Sequence, residues 1–269
     1  MKIAICFTGE TRTYSKATFE SWERLMKHIG AEYDFFGSTW DHCDLPYNYQ
    51  DFKSFEVINQ DSYINDDIIS NDKFFDLVYT NDNPLFKEMF IKYGVDFLKY
   101  ANRCAYGQLY SSYHAIKQVP PDDYSLIIKI RWDTRCVTDP INYDHFREQL
   151  HTIQQLNLPT YGFTNIHEPD KQFINDIVIV FNQYAAIQFT RLSMFTQISD
   201  VRHRINKTLP SAHWLWSEIL MREGDRHSPG LQSNNTFSIY IDEIEHLVRS
   251  DSKSFYQHPV YPSSKLLGI

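Results

Sequence analysis

Cysteine is scarce in this chain: four residues, Cys6, Cys43, Cys104 and Cys136, lie far apart in 269 positions. No CxxC pair occurs, which excludes a zinc ribbon and a disulfide framework and favours buried thiols in a reducing compartment. Surplus positive charge is also missing. Against 34 acidic residues stand 26 basic ones, a formal net charge of −8, which excludes the broad cationic footprint that duplex nucleic acid requires. No apolar run is long enough to cross a bilayer. The first strand begins at Lys2, so no signal peptide is expected and the chain reads as cytoplasmic. The sequons at Asn206 and Asn234 then carry no meaning.

Several catalytic signatures are absent too. Neither GxGxxG nor GxxxxGK[ST] is present, against a dehydrogenase and a P-loop NTPase. His203, His213 and His227 are near in sequence but form no HExxH or HxH, against a zinc hydrolase. There is no GxSxG elbow, against an α/β-hydrolase. No internal repeat, low-complexity stretch or Ser/Gly/Pro linker divides the chain, so residues 1–269 are expected to form one domain.

What is present is a large apolar and aromatic stock. Hydrophobic residues make up 42% and aromatics 16%, with 19 Phe and 18 Tyr. That is enough for a sizeable core and for a groove that accepts ring-shaped ligands. Lys2–Phe7 is a near-continuous apolar run ending at Thr8-Gly9, as expected of a parallel strand buried on both faces. A helix from about Ser15 follows, with Phe19, Trp22, Met26 and Ile29 on one side and Gly30 as its stop. Tyr33–Ser38 reads as a second strand, completing a strand–helix–strand opening.

From Asp41 to about Asn83 the chain is polar and turn-rich, with short strands expected near Phe55–Ile58 and Leu77–Tyr79. Helices are predicted over about Pro84–Tyr100 and Arg103–Gln118, the second ended by Pro120-Pro121. Tyr124–Ile130 is the strongest strand pattern, and another covers Phe173–Phe181. Helices about Gln183–Gln197 and Ser211–Arg222 follow, and the tail from Ser250 has no clear pattern. The expected class is α/β, a mostly parallel central sheet flanked by helices.

Open α/β sheets bind ligands beyond the carboxyl ends of their strands. Three such ends carry polar residues: Thr8-Gly9-Glu10-Thr11-Arg12, Ser38-Thr39-Trp40-Asp41 and Arg131-Trp132-Asp133. Parallel strands would bring them to one edge. In the first, Gly9 permits close backbone approach and Arg12 can fork onto phosphate oxygens. The competing reading is an ordinary turn with a surface arginine. In the third, a carboxylate at the end of a buried strand needs a partner. That partner is either Mg²⁺ or Mn²⁺ carrying a diphosphate, or an internal ion pair of Asp133 with Arg131 or Arg135.

The blocks Phe7–Tyr14, Asp34–Asp41, Gln108-Leu109-Tyr110-Ser111 and Ile128–Asp133, in this order and spacing, resemble GT-A-type glycosyltransferases. Among these the chain is most similar to poorly characterised bacterial and viral members, including the WavE-like lipopolysaccharide-synthesis group. The resemblance covers the first half of the chain well. The second half agrees loosely, through Asn175-Asp176-Ile177 and a Trp-rich helix with Glu218.

The resemblance implies a single Rossmann-like GT-A domain that moves a hexose from a nucleoside-diphosphate sugar to a glycan or lipid-linked acceptor in polysaccharide biosynthesis. It implies a donor site of Thr8, Gly9, Arg12, Trp40, Asp41, Gln108, Ser111 and Arg131. Asp133 stands where the family has the last carboxylate of its DxD motif, and would be a catalytic residue and the ligand of Mn²⁺ or Mg²⁺. Arg131 replaces the first Asp, which leaves metal dependence open. Its alternative role is to neutralise the leaving diphosphate directly. If transfer inverts configuration, Asp176 and Glu218 are the candidate bases. Trp214 and Trp216 are either sugar-stacking rings or core. The alternative to an enzyme is a non-catalytic nucleotide- or sugar-binding module that kept the fold.

Overall fold

The structure, a computed structural model, describes residues 1–11, 14–59, 107–136, 143–165, 174–191, 216, 236–238 and 244–246. The expected strand at Leu77–Tyr79, the helix at 84–100, most of that at 211–222 and the tail lie outside these residues. So do Arg12 and Glu218.

Strand β1 (Lys2–Thr8) is the centre of the described fold, paired in parallel with β2 (Glu32–Trp40) on one side and β4 (Leu126–Arg131) on the other. β3 (Ser54–Ile58) adds in parallel outside β2. Beyond β4 the sheet turns antiparallel with β7 (Ile174–Asn182) and then β6 (Tyr161–Asn165), and β8 (Thr236–Ser238) closes it parallel to β6. The order is β3-β2-β1-β4-β7-β6-β8. The parallel, buried half is the half that carries the polar strand ends. A separate two-stranded ribbon joins β5 (Thr134–Cys136) to β9 (Ile244–His246).

The continuous apolar run of β1 follows from burial on both faces. Ile3, Ile5 and Phe7 enter one core, with Trp22, Leu25 and Met26 of helix α1 (Lys16–His28). Ala4 and Cys6 enter the other, with Leu109, Ala115 and Ile116 of helix α2 (107–116). Helix α4 (Gln183–Arg191) covers that second face, and α3 (Tyr143–Gln155) the first, through Phe146, Leu150 and Ile153. Trp216 is wholly buried there and stacks on Phe189 at 5.6 Å, so it is core and not a sugar platform. Cys6, Cys43 and Cys136 are free thiols, and burial pushes those of Cys6 and Cys136 up.

Helix α1 shows how locally the sequence dictates the elements. Ser15 has extended backbone and its hydroxyl accepts from the Thr18 amide, the N-cap arrangement. At the other end Gly30 is left-handed (φ 68°), the Gly30 amide donates to Lys27 O at 3.2 Å and Ala31 to Met26 O at 3.0 Å. That is the paired-bond stop that needs a residue without Cβ. Chain reversal here delivers β2 beside β1.

β2 runs two residues further than its apolar pattern suggests, to Trp40. Gly37 in its middle is there for space: an added Cβ would lie 2.8 Å from Phe55 Cδ2 and 3.2 Å from Phe52 Cδ1. Those rings pack against Trp132 at 5.9 and 5.6 Å and cannot retreat without opening the core. Gly37→Ala is therefore expected to cost about 1–3 kcal/mol. Urea melts should show a lower midpoint with unchanged slope.

Candidate functional site

The parallel register aligns three strand ends. Thr8 is the Cα partner of Arg131, and Phe7 that of Gly37. β1, β2 and β4 therefore release their chains at one edge, which collects the Gly9-Glu10 turn, Asp41-His42 and Arg131-Trp132-Asp133. β7 enters the sheet from this same edge. Its Val178 pairs with Ile130, so Asp176, two residues earlier in β7, lies past the end of the β4 pairing.

The segment after β4 is clamped from both sides by tryptophan N–H groups. Trp132, wholly buried, donates from Nε1 to Ser38 O at 2.9 Å and stacks on Phe7 at 4.8 Å. Trp22 of α1 donates from Nε1 to Thr134 O at 2.9 Å, and Ser21 Oγ accepts from the Cys136 amide at 3.0 Å. Asp133 thus hangs between two fixed backbone points. Sequence reasoning passed over Trp22 as plain core, because its polar contact is with a residue more than a hundred positions away.

Arg131 and Asp133 alternate to the same side of the extended chain, and there they form a two-point fork. Nε donates to Oδ1 at 3.0 Å and Nη2 to Oδ2 at 2.9 Å. Asp133 is only 2% exposed. Of the two readings the sequence left open for this carboxylate, the structure displays the ion pair with Arg131. Both Asp133 oxygens face the Arg131 guanidinium, which a divalent ion there would have to displace. Among the described residues no group of three His, Cys, Asp or Glu converges.

The remaining expected residues divide in two. Gly9 (φ 96°) has open space where a Cβ would be, so its value is backbone approach in a left-handed turn. Asp41 is exposed beside His42, and Gln108 is partly exposed in the first described turn of α2. Gln108 Oε1 is buried without a hydrogen-bond partner. These three and Arg131 can meet a ligand.

Thr8, Trp40 and Ser111 face inward instead. Thr8 Oγ1 donates to Ile130 O at 3.2 Å and accepts from Ser112 Oγ at 3.4 Å. Trp40, 5% exposed, stacks on Tyr110 at 6.1 Å. It lies inside β2 and not in the loop beyond it, which is why it is packing and not a contact surface. Ser111 is wholly buried, with its carbonyl accepting from Ser38 Oγ at 2.7 Å. These three hold α2 to the strand ends rather than reaching outward. β9 brings a residue that sequence reasoning did not select: His246 is the Cα partner of Thr134, one residue from Asp133. No local pattern could reveal it, since the pairing is between distant three-residue strands.

The first two loops are latched to each other. Thr11 Oγ1 donates to Asp44 O at 2.7 Å and Tyr14 Oη to Asn48 Oδ1 at 2.9 Å. His42 lies 3.8 Å from Glu10 and 3.9 Å from Asp41. Hydrogen bonding to Cys43, then to Glu10, pushes the His42 pKa up to about 9, against the opposing effect of burial.

Two outcomes follow. Removing one partner breaks the two-point charge pairing at the buried Asp133, so Asp133→Ala should cost about 3–5 kcal/mol, and the paired apolar replacement Arg131→Met/Asp133→Leu far less. Equal losses in urea melts would contradict the fork. For His42 the folded pKa is above the unfolded one, so its contribution is complete below about pH 6.5 and is lost as pH rises through about 9. The gap in urea midpoint between wild type and His42→Gln should be widest near pH 6 and close by about pH 10.

No protein-family model matches the chain, and no curated protein matches it. Among the solved structures that match the chain are glycosyltransferases at low identity. One is a glycosyltransferase involved in glycosylation of the major capsid of PBCV-1 (11% identity, 88% of this chain and 82% of that one, TM-score 0.39). Another is mouse xyloside xylosyltransferase 1 in its apo form (11% identity, 81% and 81%, TM-score 0.36). A third is the galactosyltransferase LgtC with donor and acceptor sugar analogues (9% identity, 100% and 95%, TM-score 0.42).

Proposed function

We propose that the protein is a glycosyltransferase that takes a sugar from a nucleoside-diphosphate donor bound along the β1–β2–β4 edge. The observation that carries this reading is the convergence of the Gly9 turn, Asp41 and Arg131 at the carboxyl ends of in-register parallel strands, where open α/β sheets take their ligands. Three of the four ordered sequence blocks that resemble GT-A enzymes run into these strand ends, and the fourth, Gln108–Ser111, lies in α2. The acceptor is a glycan or a lipid-linked sugar.

In this reading Arg131 provides the positive charge at the diphosphate. A guanidinium has five N–H donors, and the fork to Asp133 uses two of them while fixing its plane. As the bond between the sugar anomeric carbon and the diphosphate oxygen breaks, the electron pair leaves with the phosphate. A pre-oriented cation stabilises that growing charge without reorganisation. The acceptor oxygen bonds to the anomeric carbon, and in an inverting transfer Asp176 accepts its proton. Asp133 then acts by orienting Arg131. No step requires a metal at Asp133.

A second reading is favoured by the same fork. A buried carboxylate fully engaged by its own arginine suits a non-catalytic nucleotide- or sugar-binding module. Turnover separates the two. Purified protein incubated with UDP-, GDP- and CMP-sugars should release free nucleotide in the presence of EDTA, and Arg131→Lys should reduce that rate by about 10²-fold or more. Thermal shift by a nucleotide sugar without turnover supports the module. Neither shift nor turnover across the panel overturns both readings.

A further inference from the structure

The loop between β2 and β3 carries an exposed apolar stripe that the donor site does not use. Leu45, Tyr47 and Tyr49 are 48, 59 and 39% exposed. Tyr47 is exposed yet fixed: its ring stacks on Tyr14 at 5.8 Å with 21° between planes. Tyr14 is itself anchored, edge-on to Phe7 at 5.5 Å and to Trp132 at 4.9 Å. An aromatic face held rigidly in water is a platform that loses little freedom when a ligand covers it.

Asn48 adds to the anchoring of Tyr14. Asn48, 6% exposed, accepts the Tyr14 hydroxyl on Oδ1, while its Nδ2 is buried with no partner. The surroundings are acidic. Asp44 and Asp51 are exposed and form no ion pair among the described residues. Burial, then Glu20, Asp51 and Glu23, raises the Tyr47 pKa. Glu20 and Glu23 are partly offset by Lys16 at 3.5 Å and Lys27 at 3.9 Å.

We propose that the Tyr47 ring, with the neighbouring carboxylates of Asp44 and Asp51, is a binding platform for a neutral pyranose of the acceptor glycan. The C–H face of a pyranose is weakly positive and covers the negative face of a ring. Sugar hydroxyls donate to the exposed carboxylates of Asp44 and Asp51. A nucleoside diphosphate suits this place poorly, because its charge would meet like charge. The assignment of the glycan as acceptor rests on the glycosyltransferase reading, whereas the platform itself does not.

The test is a microarray of neutral and acidic oligosaccharides probed with wild type, Tyr47→Ala and Tyr47→Phe, beside thermal shift of each by nucleotide sugars. The expected result is selective binding of neutral glycans, weakened about tenfold in Tyr47→Ala and restored by Tyr47→Phe, with nucleotide-sugar shifts unchanged. The proposal is overturned by absence of glycan binding, by preference for acidic glycans, or by binding that Tyr47→Ala leaves intact. Loss of the nucleotide-sugar shift in Tyr47→Ala also overturns it, by assigning the platform to the donor. If no nucleotide sugar shifts the wild type, the donor reading fails and the array still decides the platform.

Discussion

Everything at the candidate site depends on the parallel pairing of β1 with both β2 and β4. A shift of one residue in either register would send the alternating side chains of that strand to the wrong core. Ile3, Ile5 and Phe7 would then face α2, and Ala4 and Cys6 would face the large aromatic cluster under α1. The two cores are therefore what hold Thr8 opposite Arg131. The strand-end residues inherit their positions from hydrophobic packing two to six residues away.

On that frame the site is built from polar groups that are mostly committed to each other. Tryptophan N–H groups hold the backbone on both sides of Asp133, and Asp133 holds Arg131. The first loop is tied to the second by Thr11, Tyr14 and the Glu10–His42 contact. The result is an edge pre-organised before any ligand arrives, which is the arrangement that electrostatic catalysis rewards. The acidic, aromatic second loop and the cationic Arg131 give the edge two chemically different ends.

Much of this was legible in the sequence where the signal was local. The apolar runs of β1, β4 and β7 and the three-and-four spacing of α1 marked those elements, and Ser15 and Gly30 marked the ends of α1. Helix α3 carries an equally regular stripe in Phe146, Leu150 and Ile153, and was passed over because polar residues separate those positions. β5, β8 and β9 have three residues each, too few to show a period. Trp40 looked like a loop residue because β2 continues past its apolar pattern into a buried edge. For Asp133 the sequence allowed a metal or an arginine, and only the side-chain geometry shows the fork. The Tyr14–Tyr47 stack belongs to two loops with no shared motif, so nothing in the linear chain announces it.

The central claim is that the donor diphosphate is held by Arg131 and the Gly9 turn without a bridging metal. A crystal structure of the protein soaked with a nucleoside diphosphate and Mn²⁺ tests it most directly. The account predicts phosphate oxygens within hydrogen-bond distance of the Arg131 guanidinium and of the backbone amides at Gly9-Glu10, with the Arg131–Asp133 fork intact. A diphosphate bound at another edge of the sheet, or one bridged to Asp133 by Mn²⁺ with Arg131 displaced, would contradict it.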